Sequence, residues 1–358
     1  MDELLNKALE KPHNLTADEL FELLSISSHE DMGKLFKAAY SLKERYIGRR
    51  VSVRGLIEWS NICKKNCYYC GIRSGNKNIE RFSLTKDEIL ATAEFIFSAG
   101  YGSLVLQGGE LESSANTDFI SSVLAEIKSR WGNGLGVTLS LGEQEEIVYQ
   151  KWRNAGAHRY LLRIESSNPK LYEKLHPQGH SFERRVECLH TLKKLGYQLG
   201  TGVMIGLPEQ SLLDLAHDIE FFAEVDADMI GMGPYIPHYD TPLGKSIPVT
   251  PKYMEQQLLL GLKMIAVTRL YLHDVNIAST TALQALAADG RERGLLAGAN
   301  VIMPNATAVG YRAGYQLYEN KPNLDENAED TMAALEASVK SIGETLRLNE
   351  LGDSPHAK

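Results

Sequence analysis

The sequence predicts an α/β protein: a complete TIM-like (βα)8 barrel with an N-terminal helical extension. Three observations carry that expectation. From Val51 onward, short apolar runs alternate with amphipathic segments, the pattern of a parallel sheet joined by crossover helices. Eight such units fit within roughly 260 residues, the size of one such barrel. The 358 residues are 43% hydrophobic and 23% charged, so the chain can fill a large single core.

Residues 1–50 read as a helical layer: Thr16-Ala17-Asp18-Glu19 is a capping box, and Leu20, Leu23 and Leu24 recur at helical spacing. Strands are expected at 51–58, 103–107, 135–141, 158–165, 198–204, 228–233, weakly at 276–278, and at 300–303. Between them Thr85-x-x-Glu88 and Ser211-x-x-Asp214 start helices, while Gly100, Gly156 and Gly196 stop them. The weak seventh strand leaves a six-stranded open barrel as the alternative. The barrel is assigned to residues 51–320, followed at 321–358 by a C-terminal helix, about 328–348, and a polar, mobile tail.

A net charge of −8 argues against nucleic acid as a partner, because neutralising phosphates takes a basic surface. The start of the chain has no cationic stretch followed by an apolar run, and no apolar run approaches 18 residues; a cytoplasmic protein with no membrane partner is expected. Four cysteines, three of them clustered, suit a reducing compartment better than a disulfide framework.

The cluster is Cys63-Lys64-Lys65-Asn66-Cys67-Tyr68-Tyr69-Cys70, directly after the first strand, where the C-terminal rim of a barrel carries its chemistry. Three thiolates at this spacing can hold three corners of an iron-sulfur cluster or of a zinc site. Closed zinc sites and electron-transfer clusters take four protein ligands, and only Cys188, far along the chain, is left over. The fourth position would then stay open to a small molecule. The C-x3-C-x2-C loop, with Tyr69 before the last cysteine, resembles the signature of the radical S-adenosylmethionine (SAM) superfamily. The resemblance implies that SAM chelates the open iron through its amino and carboxylate groups and is cleaved by one electron to methionine and a 5′-deoxyadenosyl radical.

Other strand ends carry further candidates. Gln107-Gly108-Gly109-Glu110 follows the second strand and resembles the superfamily's GGE motif, which contacts the SAM amino group; an ordinary tight turn is the plainer alternative. Arg163 and Glu165 interrupt an otherwise apolar fourth strand and point the same way by its period of two, into the barrel mouth; either they pair with each other or they bind ligands. Two arginines in the first turn after Ser181 oppose the helix dipole, which an anion would offset; Arg185 is favoured over Arg184. The fifth strand runs into an apolar turn containing Met204, suited to an adenine. His238 reads as a structural hydrogen-bonder. Ser279-Thr280-Thr281 offers hydroxyls to a carboxylate, and Tyr311 follows the last strand.

Within the superfamily the chain resembles the HydE branch, maturases of FeFe-hydrogenase, over residues 16–320. The matching stretches include Glu58 to Gly71, Val137-Thr138-Leu139-Ser140-Leu141-Gly142-Glu143, Gly231-Met232-Gly233-Pro234, Ile236-Pro237-His238 and Ala299 to Asn305. By this resemblance Cys63, Cys67 and Cys70 bind one 4Fe-4S cluster, and Gly108, Gly109, Glu110, Ser140, Glu165, Arg185 and Met204 line the SAM site. Gln107, Thr138, Arg163, Thr280, Thr281 and Tyr311 would hold the substrate, an iron-cysteine complex or thiol-derived compound. The implied partners are the maturases HydG and HydF and an external one-electron reductant. The chain departs from the branch in two respects. Residues 320–358 contain none of the cysteines on which some members carry a second cluster, and Gly108 and Ile164 stand where some have Ser and His. A methylornithine-synthase-like mutase is the rival reading; sulfur insertion as in biotin synthase is disfavoured because it needs that second cluster.

Overall fold

The computed structural model describes residues 1–322, 324–325 and 328–357. Three helices lead, α1 (Asp2–Glu10), α2 (Ala17–Ser25) and α3 (His29–Tyr46). The capping boxes form as the sequence predicts: Thr16 with Glu19 opens α2, Thr85 with Glu88 opens α4 (Lys86–Ser98), and Ser211 with Asp214 opens α9 (Leu212–Glu224). Between these lie α5 (Ser114–Trp131), α6 (Glu146–Ala155), α7 (Pro169–Leu175) and α8 (Phe182–Lys194). Gly156 ends α6 with φ +123°, a conformation that L side chains rarely adopt.

The first barrel strand is β1 (Arg50–Val53) continued as β2 (Gly55–Ser60). The rest are β3 (Ser103–Gly108), β4 (Gly136–Ser140), β5 (Arg159–Leu161), β6 (Gln198–Thr201), β8 (Met229–Ile230), β10 (Asn276–Ile277) and β11 (Val301–Ile302). β2 heads a parallel sheet in the order β2-β3-β4-β5-β6-β8-β10, while β1 pairs with β11. A bridge from Ala278 to Val301 links β10 to β11 and closes the ring. The weak seventh strand is therefore present, and the barrel is the eight-stranded form rather than the open one. Past the rim, β7 (Met204–Ile205) pairs with β9 (Gly233–Pro234), carrying the fifth and sixth strands upward. The strands are near-continuously buried because helices cover their outer face: Leu104, Leu106, Leu139, Tyr160, Leu199, Ile230 and Ile277 are fully inaccessible.

The long α10 (Pro251–Leu272), with α11 (Thr281–Leu286), α12 (Gly290–Leu296) and α13 (Val309–Arg312), completes the outer ring. The leading helices pack on it and on α9, burying Leu20, Leu23 and Leu24. Lys263 Nζ is buried there and donates to the carbonyls of Leu24 and Ile26 at the end of α2.

Two expectations change at the barrel floor. The first strand is interrupted at Arg54, where pairing passes from β11 to β3; the Arg54 guanidinium is buried and donates to the Gly352 carbonyl at 3.1 Å. The C-terminal helix, α14 (Ala328–Ser341), ends earlier than expected, and β12 (Thr345–Arg347) then adds to β1. The segment beyond it is docked rather than loose. Arg159, also buried, donates to Asp353 Oδ1 at 2.6 and 3.1 Å, and Asn276 Nδ2 to the Gly352 carbonyl at 3.0 Å. Two buried guanidinium groups need acceptors, and the tail supplies them.

Candidate active site at the cysteine-loop rim

The cysteine loop leaves β2 at the C-terminal rim, and one side chain fixes its shape. Arg81 donates to four carbonyls, those of Asn61 (2.6 Å), Ile72 (2.8 Å), Arg73 (2.6 Å) and Asn76 (3.0 Å). Asn76 Nδ2 adds the Gly71 carbonyl at 2.7 Å. The Arg73 carbonyl also accepts from the Asn76 amide at 3.0 Å; the loop is thus built around a planar five-donor fork. The following strand locks in closely: the Lys64 amide donates to the Glu110 carbonyl at 2.9 Å and the Glu110 amide to Cys63 Sγ at 3.3 Å. A side chain at Gly109 would meet the Ile62 carbonyl at 2.2 Å, so only glycine lets the two segments touch.

Burial pushes all three thiols up, that of Cys67 to about 12. Left alone they stay protonated; a bound metal centre is what would draw the protons off. Cys188 lies in the core instead, its Sγ 3.8 Å from the Gln144 carbonyl. The donor set therefore fits an iron-sulfur cluster on Cys63, Cys67 and Cys70 with one position left open.

Below the loop is a cavity of about 330 Å³ lined by the strand ends. It holds Gln107, Gly108, Gly109, Glu110, Ser140, Arg163, Glu165, Arg185, Met204, Thr280 and Thr281 together with the three cysteines. Its upper wall is a run of charge: Lys65 lies 3.1 Å from Glu110 and 2.9 Å from Glu143, and Glu143 lies 2.6 Å from Arg185. Arg163 pairs with Glu165 at 3.1 Å and donates to the Val203 carbonyl at 2.7 Å. Burial raises the pKa values of Glu110 and Glu165. At Glu143 burial pushes the same way, but Arg185 and Lys65 together outweigh it and hold that carboxyl low.

Several of these contacts are close but misaligned. Glu110 Oε1, Glu165 Oε2, Arg185 Nε and Thr280 Oγ1 are buried without an aligned hydrogen bond. Lone pairs and N–H groups thus stay available to a ligand carrying both an ammonium and a carboxylate, as SAM does. Glu165 also adopts φ +68° just past β5, uncommon for a non-glycine residue. Arg184 points outward to Glu145 and Glu187, so Arg185 is the inward one of the pair.

Two predicted site residues are not brought to the cavity. Thr138 lies one layer lower, against Arg54, Arg159 and Met229 at the barrel floor, because its strand register sets it opposite Arg159 at the base of β5. Tyr311 faces outward; its hydroxyl donates to Glu88 at 2.7 Å and its ring packs on Phe82. Tyr315 and Tyr318 line the cavity instead, Tyr318 with its hydroxyl 2.7 Å from Thr281 Oγ1 and Tyr315 with its hydroxyl 3.3 Å from Gln107 Nε2. Glu58 and Lys321 form a buried ion pair on the same wall. Sequence reasoning missed these, along with Lys65 and Glu143. The one available signal was Glu58 in an apolar strand, the cue that did pick out Arg163 and Glu165. His238 accepts from the Asp240 amide at 3.1 Å, the structural role read for it.

Residues 57–222 match the model of the radical SAM superfamily. The FeFe-hydrogenase maturase subunit HydE of Thermotoga maritima is 46% identical over 319 residues, 89% of this chain and 88% of that protein. The chain belongs to the HydE branch of the radical SAM superfamily. Another relative is the 3-methylornithine synthase of Methanosarcina acetivorans, 27% identical over 92% of this chain and 88% of that protein. Among solved structures, methylornithine synthase (PylB) superposes with a TM-score of 0.81 at 25% identity, covering 97% of this chain and 98% of that one. Like the rest of its superfamily, this member is an enzyme of iron-sulfur and SAM chemistry, and no helix among the described residues is long and apolar enough to cross a membrane.

Proposed function

We propose that this chain is a HydE-type maturase that cleaves SAM reductively and uses the resulting radical on a sulfur-containing substrate during FeFe-hydrogenase assembly. The observation that carries it is the single cavity running from the three cysteines down to Arg163, Thr280 and Thr281, in a chain 46% identical to a named HydE. Cys63, Cys67 and Cys70 would hold one 4Fe-4S cluster, which when bound supplies the electron for SAM cleavage. Glu110 and Glu165 accept from the SAM ammonium and ribose hydroxyls, Arg185 donates to its carboxylate, and Met204 packs on the adenine beside Ser140. Deeper, Arg163 donates to an anionic group of the substrate, with Gln107, Thr280 and Thr281 completing its hydrogen bonds. The buried walls exclude water that would quench a radical.

The proposed substrate is an iron-cysteine complex or related thiol compound, delivered by HydG, with the product passed to HydF and the electron coming from an external reductant. The likeness to methylornithine synthase supports a mutase as the second reading. With the cluster loaded under anaerobic conditions, 5′-deoxyadenosine formed from SAM is expected to rise when a cysteine-derived iron complex is added. Stimulation by lysine instead would favour the mutase.

A further inference from the structure

Two histidines outside the cavity lining stand beside one of its cysteines. His176 closes α7 and His180 sits in the turn before α8. One nitrogen of each, together with Cys67 Sγ, lies within 4.8 Å of the other two ligand atoms. Tetrahedral bonds of about 2.0–2.3 Å give ligand-to-ligand edges of roughly 3.3–3.8 Å, so side-chain movements of at most about 1.5 Å close the set.

Two further observations point to a ligand. His176 Nδ1 lies 2.7 Å from the Tyr172 carbonyl. A carbonyl only accepts, so Nδ1 carries the proton and Nε2 presents a lone pair, the tautomer that second-shell carbonyls impose on metal-binding histidines. Tyr69 Oη lies 3.3 Å from that Nε2. His180 Nδ1, in turn, is buried without a hydrogen-bond partner. The His176 ring packs against those of Tyr172 and His180, with centroids 4.1 and 5.3 Å away.

We propose that Cys67, His176 and His180 form a mononuclear site for a divalent metal of borderline softness, Zn(II) in the first instance, with water in the fourth position. Zinc binding stands on these three residues alone. Its second consequence rests on the reading of Cys67 as a cluster ligand: the thiolate cannot serve both centres, so zinc and the cluster exclude each other. The histidines thereby make the loop a two-state metal site, and zinc taken up first blocks cluster assembly.

The test uses the full-length, cluster-free chain titrated with Zn(II) against a chromophoric chelator. In a Cys63→Ser/Cys70→Ser background one zinc per chain is expected to bind. His180→Gln, at a partly buried position, should weaken binding at least tenfold, and adding His176→Gln should abolish it, with circular dichroism confirming that each variant is folded. Cobalt(II) substituted for zinc should show thiolate charge transfer at the intensity of one Co–S bond. The site is overturned if the serine background binds no zinc while the unmodified chain does, because three thiolates then hold it. It is equally overturned if the histidine changes leave the affinity intact. Zinc preloading should also slow iron incorporation in the unmodified chain and not in the double-histidine variant; equal rates would remove the exclusion. Iron loading and SAM cleavage in the zinc-free chain report separately on the enzymatic reading.

Discussion

Glu165 joins three properties that a surface carboxylate lacks: burial, a left-handed backbone and an oxygen without an aligned hydrogen bond. Such a residue persists because its surroundings hold it, and it is poised to gain a partner. Glu165→Gln is expected to weaken SAM binding about tenfold, roughly 1.4 kcal/mol, measured by equilibrium dialysis on the cluster-loaded chain. Unchanged affinity would remove it from the SAM site. Arg163→Lys keeps the charge but loses the planar fork; SAM binding should persist while the KM for the substrate rises at least about tenfold. At this scale the sequence was readable where charge interrupted an apolar strand, as at Arg163 and Glu165. It was silent where one position along a strand or turn decides the outcome. Thr138 sits a layer too low, and among Tyr311, Tyr315 and Tyr318 only the backbone path past β11 decides which rings turn inward.

Helix starts were legible because a capping box is satisfied within four residues. The C-terminal segment was not, because its partners lie far off in sequence: Arg54, Arg159, Asp226 and Asp274. Asp353→Ala strips the carboxylate from buried Arg159 and should cost about 1–3 kcal/mol by chemical denaturation. His356 docks the last turn, 3.0 Å from Asp274 and 2.8 Å from Asp226; chiefly the Asp274 hydrogen bond, reinforced by Asp226, raises its pKa from 6.5 to about 9. A raised folded-state pKa means stabilisation fully present below pH 6.5 and lost as pH climbs through about 9. The melting temperature should therefore fall more steeply from pH 6.5 to 9.5 in the unmodified chain than in His356→Gln; parallel curves would show that the contact does not stabilise the fold. In the cysteine loop, Arg81→Lys loses most of four hydrogen bonds to carbonyls and should lower iron content after reconstitution, while the far-UV circular dichroism stays unchanged.

For the whole molecule, the repeat of strand and helix was enough to predict the barrel, and closure depended on two residues of β10 and one bridge beyond them. The closed ring is what makes the cavity: strand ends from around the barrel converge beneath one loop, and ion pairs neutralise the charges that they bring. With four cysteines in the chain and Cys188 in the core, one cluster is expected, hence about four iron and four sulfide per chain. On the proposed function, the cluster would keep one position open, facing Glu110, Glu165 and Arg185. The most direct measurement is the EPR spectrum of the reduced, fully loaded protein before and after SAM is added. A clear change in the cluster signal, weakened in Glu165→Gln, is the predicted result. A spectrum that SAM leaves untouched at full iron loading would contradict an open, SAM-binding site.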